Sequence, residues 1–189
     1  MTIISTPEPA DATGVVADIY AHDLATWGSV QQHTRVMAVN TDAYRAWEAL
    51  AGAIIGALGF RRYELVTLAA AKGAKSEHCR LAHGAKTLAE IPEDQLVRIA
   101  RDYRDAGLTD AEVEMMAFAE RVSTGAASMT EADGGRLRAV GFSDVEIVNI
   151  ALAAAARNFY SRAIQSLAVE VDVPPVLSAE LRDALVGTA

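Results

Sequence analysis

The sequence predicts an all-α fold, and three observations carry that prediction. Apolar residues recur at helical spacing through most of the 189-residue chain. Caps and breakers fall where those apolar stretches begin and end. No segment shows the period-two alternation of a half-buried strand, and no Gly-x-Gly hairpin joins two such segments.

Residues 1–12 are polar, carry Pro7 and Pro9, and read as an extended arm. Residues 13–173 are the single predicted helical domain. Its first helix starts at Thr13 with Val15, Val16, Ile19 and Tyr20 on one face, and Trp27-Gly28-Ser29 turns the chain. Thr34–Val39 is a short helix. Asn40-Thr41-Asp42 caps the next, whose stripe of Tyr44, Trp47, Leu50, Ala51, Ile54 and Leu58 ends at Gly59. Arg61–Ala89 reads as two helices in a hairpin, broken at Gly73. Pro92 opens a helix with Glu93 and Asp94 in its first turn, where carboxylates suit the helix dipole; Leu96, Val97, Ile99, Ala100 and Tyr103 are its apolar face and Gly107 stops it. Thr109-x-x-Glu112 is a capping box leading into Val113, Met116, Ala117, Ala119 and Val122. Thr130-Glu131-Ala132-Asp133 starts a helix that ends near Gly141. A second capping box, Ser143-x-x-Glu146, opens a long helix running to about Val169. Pro174-Pro175 closes the domain, and residues 174–189 are a tail in which Ser178–Val186 reads as a short helix.

This length suffices for one domain with a sizeable core. Residues of hydrophobic type make up 51%, yet no run of about 18 apolar residues occurs, so no membrane span is expected. Met1-Thr2-Ile3-Ile4-Ser5 lacks the basic and apolar regions of a signal peptide, which makes a cytoplasmic location the expectation. Seventeen basic residues against 25 acidic ones give a net charge of -8, with no basic run and no zinc-finger spacing. That balance excludes nucleic-acid binding as the main function. The one cysteine excludes an intramolecular disulfide and any multi-cysteine metal site.

That cysteine lies in Ser76-Glu77-His78-Cys79-Arg80-Leu81-Ala82-His83. Cys79 and His83 are four apart and share a helix face, with Ser76 on the same face three residues earlier. A thiol near a helix start, with an imidazole one turn away, has what a reactive cysteine needs: the dipole favours the thiolate and the imidazole takes the proton. The bland reading is a small buried hydrophobe among alanines. Upstream, Arg61-Arg62-Tyr63-Glu64 places a carboxylate early in the preceding helix, where it either reaches His83 or Cys79 across the joint or pairs with Arg61 or Arg62. His78 points roughly 100° away from Cys79 around the helix. It serves the thiol or is a partly exposed helix-start histidine.

Glu64, Ser76, His78, Cys79 and His83 together resemble the motif of the carboxymuconolactone decarboxylase and alkylhydroperoxidase AhpD-like family. That motif is a glutamate, a gap, then Cys-x-x-Cys-x-x-x-His, often with a histidine before the second cysteine. The resemblance runs from about Gly14 to about Val171 and is strongest between Glu64 and His83. Gly-Phe-Arg-Arg-Tyr-Glu-Leu at 59–65 and Asn-Phe-Tyr-Ser-Arg at 158–162 place it closest to the peroxidase-related branch. It implies an AhpD-like helical domain with a two-helix active-site hairpin, Cys79 as the nucleophile that attacks a peroxide, and Glu64, His78 and His83 as catalytic partners. It also implies a homo-oligomer. Ser76 departs from the motif by standing where the first cysteine belongs. Serine hydrogen-bonds a sulfur but cannot close an internal disulfide, so an external thiol reductant or a Cys79–Cys79 bridge between subunits takes that step.

Three readings follow from the sequence. One is a thiol-dependent peroxidase with a single redox cysteine and no cofactor. The second is a decarboxylase-like enzyme on a small lactone or carboxylic acid, with Glu64 and His83 as acid and base and Arg80, Arg157 and Arg162 as candidate anion partners. The third is a helical oligomer acting as redox sensor or binding module. A metal on Glu64, His78 and His83 is disfavoured, because histidines five apart splay on a helix. One further pattern stands out: Gly59-Phe60-x-x-x-Glu64-Leu65-Val66 and Gly141-Phe142-x-x-x-Glu146-Ile147-Val148 lie 82 residues apart. At the same offset Ala69, Ala71, Ala74 and Arg80 match Ala151, Ala153, Ala156 and Arg162, while Asn158, Ser161 and Gln165 replace Ser76, Cys79 and His83. This predicts a duplicated helical unit whose first copy alone kept the chemistry.

Overall fold

A computed structural model describes residues 2–187. These residues form ten α-helices: α1 (Gly14–Trp27), α2 (Gln32–Met37), α3 (Thr41–Leu58), α4 (Phe60–Gly73), α5 (Glu77–Thr87), α6 (Glu93–Asp102), α7 (Asp110–Gly125), α8 (Glu131–Ala139), α9 (Asp144–Ser166) and α10 (Ala179–Val186), with no strand among them. No single described helix is long and apolar enough to cross a membrane.

The helices are organised around α4. Every residue from Tyr63 to Ala71 is buried, so this stretch of the helix has no solvent face; α4 packs against α5, α7 and α9. Its small residues set how closely neighbours approach. A Cβ on Gly73 would come within 2.7 Å of the Ser123 Cβ and 2.8 Å of the Glu120 carbonyl on α7. Gly73 is therefore a packing glycine. The break after α4 falls at Lys75, whose φ of 55° turns the chain into α5. The capping boxes at Thr109 and Ser143 form as predicted.

The short helix expected at 178–186 forms as α10, and it packs into the core. Leu181, Ala184 and Leu185 recur at helical spacing, are buried, and dock between α5 and α6. Gly84 of α5 exists for this contact, since a Cβ there would collide with the Leu185 side chain. The arm is tied back to the same body: the Thr2 hydroxyl and the Ile3 amide both donate to the Leu167 carbonyl, at 2.9 and 3.2 Å.

The predicted duplication does not extend to geometry. Residues 59–88 make a helix, a turn and a second helix. In residues 141–170, α9 runs unbroken through the positions that match that turn. Similar caps open two elements of different shape.

Candidate functional site

The site is built at the joint between α4 and α5 and closed by α9. Ser76 is the N-cap of α5, its hydroxyl accepting the Cys79 amide at 3.4 Å. The serine in the first-cysteine position thus has a local job: it starts the helix that carries Cys79. Cys79 falls in the first turn of α5 and is 2% exposed.

Glu64 sits in the second turn of α4, fully buried, rather than at the helix start where the dipole would favour it. Its Oε2 is 2.7 Å from His83 Nδ1. The alternative partners are engaged elsewhere, Arg61 with Glu112 and Arg62 with Glu146. Burial pushes the Glu64 carboxyl up to about 7, while Lys86 and Arg157 hold it from rising further. Burial, followed by Arg157 and Lys86, pushes His83 well below an ordinary histidine. Near neutrality the pair therefore exchanges a single proton. Once Glu64 ionises, its carboxylate accepts from Nδ1–H and leaves Nε2 as a lone-pair base.

The other half of the thiol's surroundings comes from α9. Arg157 Nη1 donates to Cys79 Sγ at 3.6 Å and Nη2 to the Tyr63 hydroxyl at 3.4 Å. The Ser161 hydroxyl donates to the same sulfur at 3.3 Å. Two donors converging on one sulfur suit a negative charge there. Burial works against the guanidinium charge, but the sulfur of Cys79 and the Tyr63 hydroxyl outweigh it and its pKa is raised. In the sequence, Ser161 reads as a degenerate match of Cys79 and Arg157 as one of three candidate anion partners. A signal was present: Ile150, Ala153, Ala154, Arg157, Tyr160, Ser161 and Ile164 are one helical face, so this arginine points at the core. Arg80 is not an anion partner. It donates to the Ala100 and Ala184 carbonyls near the ends of α6 and α10. Arg162 is exposed.

His78 is buried, contrary to a helix-start surface histidine, and meets a residue the sequence did not single out. Its Nε2 lies 2.7 Å from Nδ1 of His33 on α2, one ring donating to the other. Burial pushes His78 down to about 4 and His33 well below the ordinary histidine value.

Cys79, His83, His78 and His33 all line one cavity of about 350 Å³. Trp27, Tyr44, Trp47 and Tyr160 supply aromatic walls, and Lys86 and Arg157 supply positive charge. The Lys86 ammonium lies 5.6 Å from the Trp27 ring centre, and the Arg157 guanidinium 5.5 and 5.6 Å from those of Trp47 and Tyr160. Arg157 Nε is buried and has no hydrogen-bond partner among the described residues.

No family model and no curated protein matches the chain. Solved structures do. The AhpD-core, peroxidase-related protein of Ralstonia eutropha JMP134 is 22% identical over 97% of this chain and 96% of its own, with a TM-score of 0.79. A peroxidase-related protein of Silicibacter sp. TM1040 is 24% identical over 90% of this chain and 92% of its own, at 0.77. A cysteine-to-alanine form of the debrominase Bmp8, in complex with 2,3,4-tribromopyrrole, is 17% identical over 98% and 96%, at 0.76. The chain therefore has the AhpD-like all-α fold.

Proposed function

We propose that the protein is a one-cysteine thiol peroxidase acting on small organic hydroperoxides, with Cys79 as nucleophile. The observation that supports this reading best is the convergence on one sulfur of Arg157 and Ser161, with His83, paired to Glu64, lining the same cavity as Cys79, which is large enough for a small ligand. His83 takes the thiol proton. The thiolate attacks the terminal peroxide oxygen, the O–O bond breaks, and the departing alkoxide takes up a proton as the alcohol. Sulfur is oxidised by two electrons to a sulfenic acid and the peroxide is reduced by two. Ser76 cannot resolve that acid. A first external thiol displaces water to form a mixed disulfide, and a second releases the free cysteine.

The cavity also supports a second reading, drawn from the likeness to the debrominase. Aromatic walls and two cations suit a halogenated aromatic ring with partial negative charge. The thiolate would take bromine, the ring carbon would take a proton, and two external thiols would reduce the sulfenyl bromide to thiol and bromide. Both readings place the same sulfur at the centre and need the same reductant.

Exposed Val145, Val148, Leu152 and Phe159 fall at helical spacing along α9 and support self-association. The test of function is to mix reduced protein with cumene hydroperoxide, trap the product with dimedone and locate it by mass spectrometry. A single adduct on Cys79, and turnover with a monothiol, is expected. A thiol that forms no adduct with the hydroperoxide but does react with a bromopyrrole moves the assignment to dehalogenation.

A further inference from the structure

Three donor groups that the proposed peroxidase steps do not use meet where three distant segments of the chain come together. His33 is in the first turn of α2, His78 in the first turn of α5, and Asp172 follows α9. His78 Nε2 and His33 Nδ1 are 2.7 Å apart, and Asp172 Oδ2 lies 4.0 Å from the same Nδ1. One ligand atom from each residue falls within a sphere of contact in which no pair is more than 4.8 Å apart. The carboxylate is held in place by the Gln32 amide, which donates to Oδ2 at 2.7 Å.

We propose that His33, His78 and Asp172 bind a single divalent transition-metal ion of the zinc type. A hydrogen bond between the two rings uses one nitrogen of each and leaves Asp172 out of contact; an ion engages all three groups. Two imidazoles and one carboxylate are a common donor set for such ions. Tetrahedral bonds of about 2.0–2.1 Å separate two ligand atoms by about 3.3 Å. The imidazole nitrogens need to part by about half an ångström, and the carboxylate to close by about 0.7 Å on His33 and by up to about 1.5 Å on His78, which side-chain rotations supply. The amide on Asp172 acts as the outer-shell support that metal ligands need. Both histidines line the cavity that holds Cys79, so the ion has that cavity for its remaining ligands. The site does not depend on Cys79 being peroxidatic.

The test is calorimetric titration of tag-free, chelator-treated protein with zinc chloride, paralleled by visible spectra with cobalt(II). One ion per chain is expected, with binding weakened about tenfold or more by His33→Gln and by Asp172→Asn and unchanged by Cys79→Ser. The cobalt spectrum is expected to lack a sulfur-to-metal band. Binding that survives both ligand variants, or is lost in Cys79→Ser, overturns the proposal, as does the absence of binding to the native chain. Asp172 is a partly exposed loop residue, so Asp172→Asn carries the test if His33→Gln fails to fold.

Discussion

Glu64 and Glu146 occupy the same place in two stretches that look alike in sequence, yet their environments are opposite. Glu146 is on the rim of α9. It accepts the Ser143 amide at 2.9 Å and hydroxyl at 2.8 Å, takes Arg62 at 2.9 Å, and these partners lower its pKa. Glu64 is sealed in the core against one imidazole, and burial raises it to about 7. One carboxylate stabilises a helix end, while the other is kept near its own titration point at neutral pH. The difference lies in solvent and partners, since residue type and local sequence are shared.

The largest way to break this contrast is Glu64→Gln. The amide cannot ionise, so His83 loses the partner that frees its base. Oxidation of Cys79 by cumene hydroperoxide, followed by stopped flow at pH 8, should slow by about a thousandfold, whereas Glu146→Gln should leave it unchanged. In the native protein that rate should rise with pH through a midpoint near 7, where Glu64 ionises; the rise should be absent in Glu64→Gln.

The same substitution should act on stability with the opposite sign. The folded carboxyl titrates near 7 and the unfolded one near 4.5, so between those values the folded state holds a proton the unfolded state has released. Stability from this group is full below about pH 4.5 and falls as pH rises to about 7, by about 3 kcal/mol. Glu64→Gln should then gain on the native protein between pH 5 and pH 8 in urea unfolding. His83, depressed in the fold, works the other way: its contribution is present above an ordinary histidine value and lost as pH falls below it.

A smaller effect separates the two helices that frame the sulfur. Arg157→Met keeps the volume and removes a buried cation, so the fold should persist. The rate of Cys79 alkylation by iodoacetamide should drop by about 30-fold, equivalent to one charge-assisted hydrogen bond of about 2 kcal/mol. Smallest is Ser143→Ala, which removes the cap of α9 at about 1 kcal/mol and leaves the thiol's reactivity as it was.

The sequence made the α4–α5 half of the site legible because its parts are local. Cys79, His83 and Ser76 fall on one turn-by-turn face, and Glu64 is one helix upstream. The all-α fold was legible for the same reason, in caps and periodicity. What stayed hidden depends on contacts across long separations. Arg157 and Ser161 reach Cys79 from 78 and 82 residues away, and His33 reaches His78 across 45. No spacing rule encodes such meetings. The repeat at an offset of 82 misled because alanine-rich helices with similar caps match easily, while the turn at Lys75 depends on a single left-handed residue. The short helix at 178–186 was legible from its spacing, but its docking through Leu181 and Leu185 was not, because the surface that receives it is built by distant residues of α5 and α6.

The most direct test of the account is the second-order rate of dimedone-trapped sulfenic acid formation at Cys79, compared among the native protein, Glu64→Gln and Glu146→Gln. A fast native reaction, a large loss in Glu64→Gln and no loss in Glu146→Gln are expected. A native rate no faster than that of a free thiol, equal in all three proteins, would contradict it.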